Sequence, residues 1–432
     1  MKLLLIFLVF ISSPVFAQSR LNAVLDEKAR AVEQKVIEWR RDFHQYPELG
    51  NEEVRTSGII AAHLKSLGME VEEGVALTGV VGLLKGGHPG PTVALRADMD
   101  GLPVTERGDL PFKSEVRTEY NGQEIGVMHA CGHDSHMAIL MGVAEILSQV
   151  KDDLHGDVKF IFQPAEEGVE DPNTGTWGAK QMVEEGVMEG VDAIFGLHIN
   201  SQTPVGTIKY RPGPAMAAVD NLRIQVKGRQ AHGAYPWSSV DPIVTASQVV
   251  MGLQPIVSRS VNITEIPAIV TVGAIHGGVR HNIIPEEVEM VGTIRTYSDA
   301  QQALVHQRIR EIASHIAESA GAQAEVEIKK TYPVTFNDAS LTEMMVPTLQ
   351  RVSGAGNLSV HDPITGAEDF SFYQREKPGL FFFLGAMPKG MKPEEAPSHH
   401  TPDFYLDESG FVLGVRALSQ LAVDYMTLAK KN

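Results

Sequence analysis

Cysteine is almost missing from this sequence. Cys131 is the single one among 432 residues, so no disulfide can close within the chain. Clusters of basic residues are missing too. Lys and Arg number 37 against 54 Asp and Glu, giving a net charge of −17. Phosphate backbones need clustered cations, so nucleic acid is excluded as a partner. The same negative field offers no general pull on anionic substrates, and a substrate carboxylate would need a local positive site. No Gly-x-Ser-x-Gly turn occurs, which argues against a serine hydrolase. Beyond the N-terminus, no segment approaches the ~20 apolar residues that cross a bilayer. Repeats and low-complexity tracts are also lacking. With 43% hydrophobic and 21% charged residues, the composition is that of an ordinary globular enzyme.

The one long apolar run, Leu3 to Ile11, follows Met1-Lys2 and leads into Ser12-Ser13-Pro14-Val15-Phe16-Ala17. A basic start, a short apolar core and small residues at a cleavage position predict a signal peptide over 1–17. An uncleaved anchor helix is the other reading, but the run is short for a bilayer. No twin arginine lies within it, since Arg40-Arg41 come too late. The expectation is export in unfolded form and a periplasmic or secreted protein that takes up metal outside the cytoplasm. A free thiol is exposed to oxidation there, which makes ligation the more attractive role for Cys131.

From Leu21 to Leu67 the pattern is helical, with a turn expected over Arg41 to Gly50 and a resumed helix over Thr56 to Leu67. Strands and helices then alternate: Gly79 to Lys85 and Thr92 to Ala97 as strands, Ser135 to Val150 as a helix, Asp157 to Phe162 as a strand, Thr176 to Glu185 as a helix and Ala193 to Leu197 as a strand. This order predicts an α/β domain, a sheet flanked by helices on both faces. Ligands should gather beyond the carboxyl ends of its strands. Pro212-Gly213-Pro214 marks a boundary. After it, Asn221 to Gly228, Asp241 to Leu253, Ala268 to Ala274, Glu287 to Thr296, Ala300 to Ala320 and Ala324 to Ile328 follow the strand-helix-strand-strand-helix-strand order of a ferredoxin-like α+β domain. The expected organisation is a catalytic domain over 18–215 and 332–432 with a lid domain, 216–331, inserted into it.

Chemistry-bearing residues cluster at a few places. Cys131 and His133 sit within His129-Ala130-Cys131-Gly132-His133-Asp134, just before a helix. A helix N-terminus or a metal favours the thiolate, while a structural cysteine beside a capping histidine is the bland alternative. Asp134 and His136 extend the cluster or cap the helix. Glu166-Glu167 follows an apolar strand. On an extended backbone adjacent side chains point apart, so one carboxylate could bind metal while the other serves as general base. A solvated acidic turn is the alternative. His198 closes another apolar run, and His399-His400 is a doublet of which His400 is the candidate. Asp98 and Asp100, flanking Met99 at a strand end, suit either metal ligands or carboxylates that orient a ligand histidine, and the orienting role is preferred. Imidazole, carboxylate and thiolate together suit zinc, manganese, cobalt or nickel.

Six stretches carry a resemblance: Arg41 to Glu48, Leu95 to Pro103, Met128 to Asp134, Phe162 to Glu167, Gly366 to Phe370, and His399 to Phe404. In this order they are similar to the M20 metallopeptidases, in the amidohydrolase branch with hippurate hydrolases, N-acyl-amino-acid amidohydrolases and auxin-conjugate hydrolases. The resemblance implies two divalent metal ions held by Cys131, His133, Glu167, His198 and His400, with Glu166 as general base and proton donor. It implies a lid whose His232, in Ala231-His232-Gly233, polarises the scissile carbonyl from the same or a partner subunit. Asn282 and Gly366 would contact substrate, and the lid would support a homodimer. Two departures stand out. Ala367 replaces the usual serine before Glu368, and the loop from Glu170 to Trp177 is long. The reading is hydrolysis of N-acyl amino acids or similar small amides. Its alternatives are a secreted metallo-carboxypeptidase or dipeptidase, and a metal-binding protein that is not an enzyme.

Overall fold

The computed structural model describes residues 14–429. Most of the expected signal peptide, 1–13, lies outside them. Among the described residues no helix is long and apolar enough to cross a membrane. The chain divides into two compact units. One holds the residues up to Tyr210, Asp338–His361 and those from Arg375 onward; the other holds Arg211–Asn337 and Asp362–Gln374.

The first unit is built on an eight-stranded mixed sheet. Its order is Glu70–Val75, Gly79–Leu84, His155–Gln163, His88–Asp98, Ala193–Pro204, Gly379–Met387, Ile208–Tyr210 and Leu358–Val360. The four central strands from His155–Gln163 to Gly379–Met387 run parallel. Strands covered on both faces read as continuous apolar runs, and every residue of Gly379–Met387 is buried. On one face the helices Pro14–Gln45, His133–Ser148 and Phe411–Ala429 pack through Val32, Val36, Met137, Leu140, Leu418 and Leu421. Their close approach depends on Gly142, where a Cβ would stand 2.7 Å from Cγ2 of Val36.

Some sequence expectations shift here. The first helix continues through Arg41 to Gln45 instead of turning there. Arg40, Phe43 and His44 lie three and four residues apart, share one face, and are all buried. Burial of that last turn overrides the polar local sequence, and the turn is delayed to Tyr46. The strand at Ala193 runs on to Pro204, so His198 lies within it and not at its end. The strand at Thr92 begins earlier, at His88.

In the second unit the sheet order is Ile269–His276, Glu287–Thr296, Ala218–Lys227 and Gln323–Tyr332, all antiparallel. The helices Pro242–Pro255 and Asp299–Ser319 bury Ala246, Val249, Leu253, Val305, Ile309 and Ala313 with Leu222, Ile224, Val226 and Ile294 of the sheet. This is the ferredoxin-like arrangement. Its limits differ from 216–331. Short strands Gly213–Met216 and Thr335–Asn337 pair antiparallel and tie the two chain crossings together. The N–H of Ala217 reaches the carbonyls of Ile364 and Gly366, so that segment, read above as part of 332–432, groups with the inserted unit.

Candidate metal centre

Cys131, His133, Glu167, His198 and His400 all belong to the first unit, and the fold brings them together. The chain enters helix His133–Ser148 through Gly132, whose φ of 96° lies in the left-handed region that favours glycine. A Cβ there would stand 2.4 Å from Cγ2 of Ile199. Gly132 therefore lets Cys131 and His133 approach the strand that carries His198. Sγ of Cys131 lies 3.4 Å from Nε2 of His198. The opposite nitrogen of His198, Nδ1, is 2.6 Å from the carbonyl of Ile199, which leaves Nε2 facing the thiol.

His133 is fixed the same way. Its Nδ1 is 3.0 Å from the carbonyl of Asp100 and 3.1 Å from Oδ1 of the same residue. Its Nε2 is buried without a hydrogen-bond partner among the described residues. The N–H of Glu167 donates to Oδ2 of Asp100 at 3.0 Å. Asp100 thus aims two ligand-type residues at once, as expected of an orienting carboxylate. Asp98 is fully engaged, by Arg96 at 2.7 Å and by Nδ1 of His136 at 2.6 Å. His136 accepts the N–H of Ile199 at 2.8 Å through its other nitrogen. It braces the His198 strand and does not cap the helix.

Glu166 and Glu167 do not point apart as on an extended strand. They sit in a turn entered through Ala165, at a φ of 49°, and one oxygen of each lies within 4.8 Å of a His133 nitrogen. Both carboxylates therefore face one centre. Oε2 of Glu166 is 3.9 Å from Nε2 of His133.

In the histidine doublet, His399 is engaged by the backbone. Its Nδ1 lies 3.2 Å from the carbonyl of Cys131, and its Nε2 accepts the N–H of Ser201 at 3.2 Å. His400 is exposed and stands at a φ of 61°, a strained conformation for a non-glycine residue. Its Nε2 stands 3.2 Å from Oε1 of Glu167.

Ligand-type atoms fall into overlapping groups: Cys131, Glu167 and His400; His133, Glu166 and Glu167; Cys131, His198 and His399. Cys131 and Glu167 each belong to more than one group, so the donors would form one continuous cluster around any bound ions. Burial and the nearby Glu167 push the Cys131 thiol up, and burial beside His136 holds His198 well down. Hydrogen bonds with Cys131 and Glu167 push His400 up to about 10. Imidazole nitrogens, one of them orphaned, with carboxylates and a thiol fit borderline divalent ions.

The remaining candidates lie in the second unit. His232 is exposed, and its Nδ1 accepts the N–H of Ala234 at 3.0 Å, placing the ring proton on Nε2. Strands Ala231–His232 and Ile283–Ile284 pair, and the carbonyl of Asn282 accepts the N–H of Gly233, so His232 and Asn282 are neighbours. Gly366 is exposed.

Sequence reasoning missed three buried polar residues around the centre. Arg40 donates to Asp134 at 2.9 Å, and Nδ1 of His44 lies 2.7 Å from the same carboxylate. Glu53 accepts the N–H of Ala165 at 2.9 Å. All three stand in polar surroundings in the sequence, where nothing distinguishes a buried charge from a solvated one.

The model of peptidase family M20/M25/M40 matches residues 94–424. The chain is 41% identical to thermostable carboxypeptidase 1 of Saccharolobus solfataricus over 93% of its length and 98% of the relative's. It is 38% identical to the N-acetylcysteine deacetylase of Bacillus subtilis, covering 91% and 97%. Among solved structures it resembles the Bacillus subtilis YXEP protein, a dinuclear metal binding peptidase, with a TM-score of 0.77, 35% identity and coverage of 92% and 99%.

Proposed function

As the chain belongs to peptidase family M20/M25/M40 and is an amide-bond hydrolase, we propose that it cleaves N-acyl amino acids or similar small amides into a carboxylic acid and a free amino acid. The observation that carries this reading is Glu166: a buried carboxylate beside the unpartnered Nε2 of His133, among the atoms of the candidate ligands. A site that only stored metal would have no use for it. Two divalent ions, zinc or manganese, would be held by Cys131, His133, Glu167, His198 and His400, with cobalt and nickel fitting the same donors. When bound, the ions supply Lewis acidity that polarises the carbonyl and acidifies water.

Glu166 takes the proton of the attacking water and returns it to the departing nitrogen. Asp100 keeps His133 and Glu167 in register, and Asp98 does the same for His136. His232, with its proton on an exposed Nε2, donates to the oxyanion of the tetrahedral intermediate. Removing one such donor costs ~10²–10³ in kcat. His232→Ala should show that loss with bound metal intact; an unchanged kcat would remove His232 from the mechanism. Asn282 and Gly366 would meet the amino-acid end of the substrate.

Carboxypeptidase action is a second reading, favoured by the Saccharolobus relative. Both substrate types carry a free carboxylate next to the scissile amide. Purified protein incubated with N-acyl amino acids and with peptides, with and without chelator, separates them. Chelator-sensitive release of amino acids from acyl conjugates is expected. Cleavage of peptides alone would replace the first reading with the second, and no cleavage after metal supply would refute both.

Exposed Tyr235, Trp237, Ile243, Val244 and Met251 support a homodimer through the inserted unit, which sedimentation as a monomer would refute. Export, with removal of residues 1–17, is tested by the N-terminal mass of protein recovered from the periplasm or medium.

A further inference from the structure

The turn that presents Glu166 and Glu167 does not hold its own shape. Ala165 stands at a φ of 49°, which strains a residue with a Cβ unless its surroundings impose the conformation. Two buried carboxylates supply the constraint. On the C-terminal side of Glu166, Asp100 accepts the N–H of Glu167 at 3.0 Å. On the N-terminal side, Oε1 of Glu53 accepts the N–H of Ala165 at 2.9 Å. The other oxygen of Glu53 meets the hydroxyl of Thr78 at 2.6 Å. Glu53 has no exposed surface.

The segment carrying Glu53 is itself anchored. Oε1 and Oε2 of Glu48 accept the N–H groups of Arg55 and Thr56 at 3.0 and 2.8 Å. The carbonyl of Glu48 accepts the N–H of Gly101 at 2.7 Å. Gly50 lies against the turn, so that a Cβ on it would stand 3.1 Å from Cα of Ala165. One short segment thus joins the strand end at Asp100 to the Glu166 turn.

We propose that Glu53 is a positioning residue for the general base. Its carboxyl fixes the peptide before Glu166 and so aims the Glu166 carboxylate. This rests on the reading of Glu166 as base. Glu53 needs only an acceptor toward Ala165, and burial with the nearby Asp100 pushes its carboxyl up to about 8, toward the neutral acid. A glutamine keeps the acceptor toward Ala165, and its amide nitrogen can donate to the Thr78 hydroxyl, which in the native protein donates to Oε2 of Glu53.

The test uses the metal-loaded protein and the best substrate of the panel. Glu53→Leu keeps most of the volume and removes the acceptor; it should lower kcat by about 30-fold or more, with KM within about threefold and metal content unchanged, since a small misplacement of a catalytic group can cost ~10². Glu53→Gln should restore kcat to within about threefold. In a Glu166→Gln background, Glu53→Leu should add little, because groups acting as a unit are non-additive. Folded Glu53→Leu with near-native kcat would overturn the proposal, as would additive losses in the double variant. If Glu53→Leu does not fold, Glu53→Gln decides: folded protein with a large loss of kcat overturns it. Should Glu166→Gln alone remain active, the reading of the base falls, and that outcome is read separately from the Glu53 series.

Discussion

Glu166→Gln is expected to bind metal as the native protein does and to lose roughly 10³- to 10⁴-fold in kcat, the upper part of what general acid–base catalysis contributes. Glutamine preserves the size of the side chain and its place in the turn but cannot accept a proton. One carboxyl here serves twice, taking a proton from water and giving it to the leaving nitrogen, so both steps suffer. The contrast is Glu167→Gln. Oε1 of Glu167 lies 3.2 Å from Nε2 of His400, and its atoms belong to two of the ligand-type groups. That variant should lose metal together with activity. Metal analysis beside steady-state kinetics separates the two. A Glu166→Gln protein within tenfold of native kcat would mean the proton is handled elsewhere, and a Glu166→Gln protein depleted of metal would make Glu166 a ligand.

Much of this centre was legible before the fold was known, for a physical reason. Ligand chemistry restricts residue type, and chain direction places strand ends at one edge of a parallel sheet. Asp98 and Glu166 could therefore be grouped from the apolar runs that precede them, whereas the same grouping of His198 rested on a strand end that the longer strand does not have there. The inserted unit was legible because its alternating strand and helix periods are unambiguous. What could not be read is buried polar partnership. Glu53 sits in Asn51-Glu52-Glu53, which looks like a solvated turn, yet its carboxyl is inside the protein. Arg40 and His44 stand in a polar stretch, and only their common face with Phe43 buries them. The opposed directions expected of Glu166 and Glu167 failed for a local reason: the positive φ of Ala165 breaks the extended backbone on which that rule depends. The stretch Asp362–Gln374 groups with the inserted unit through main-chain bonds of Ile364 and Gly366 and side-chain bonds of Gln374, partnerships that carry no sequence signature.

Removal of metal should destabilise the first unit as well as silence it. Nε2 of His133 is buried without a hydrogen-bond partner among the described residues, and an unsatisfied buried polar group costs ~1–3 kcal/mol. The surrounding bonds do not relieve this, because they hold the opposite nitrogen of the ring. Nδ1 of His133 is committed to Asp100, and the N–H of Glu167 to the same residue. The site is thus prearranged at a cost that bound cations offset. A ligand present at 1,000 times its Kd stabilises the native state by ~4 kcal/mol. For domain-sized units each kcal/mol moves Tm by roughly 2–4 °C. Dialysis against chelator should therefore lower Tm by on the order of 10 °C, with recovery on adding back zinc or manganese. His133→Ala should make Tm nearly insensitive to chelator, since the variant cannot fill the site. The recovery series also identifies the ion, because the metal that restores Tm at the lowest concentration has the highest affinity. A native protein whose Tm is unmoved by complete metal removal would show that this orphaned nitrogen is satisfied without cations, and the assignment of the five ligands would have to be withdrawn.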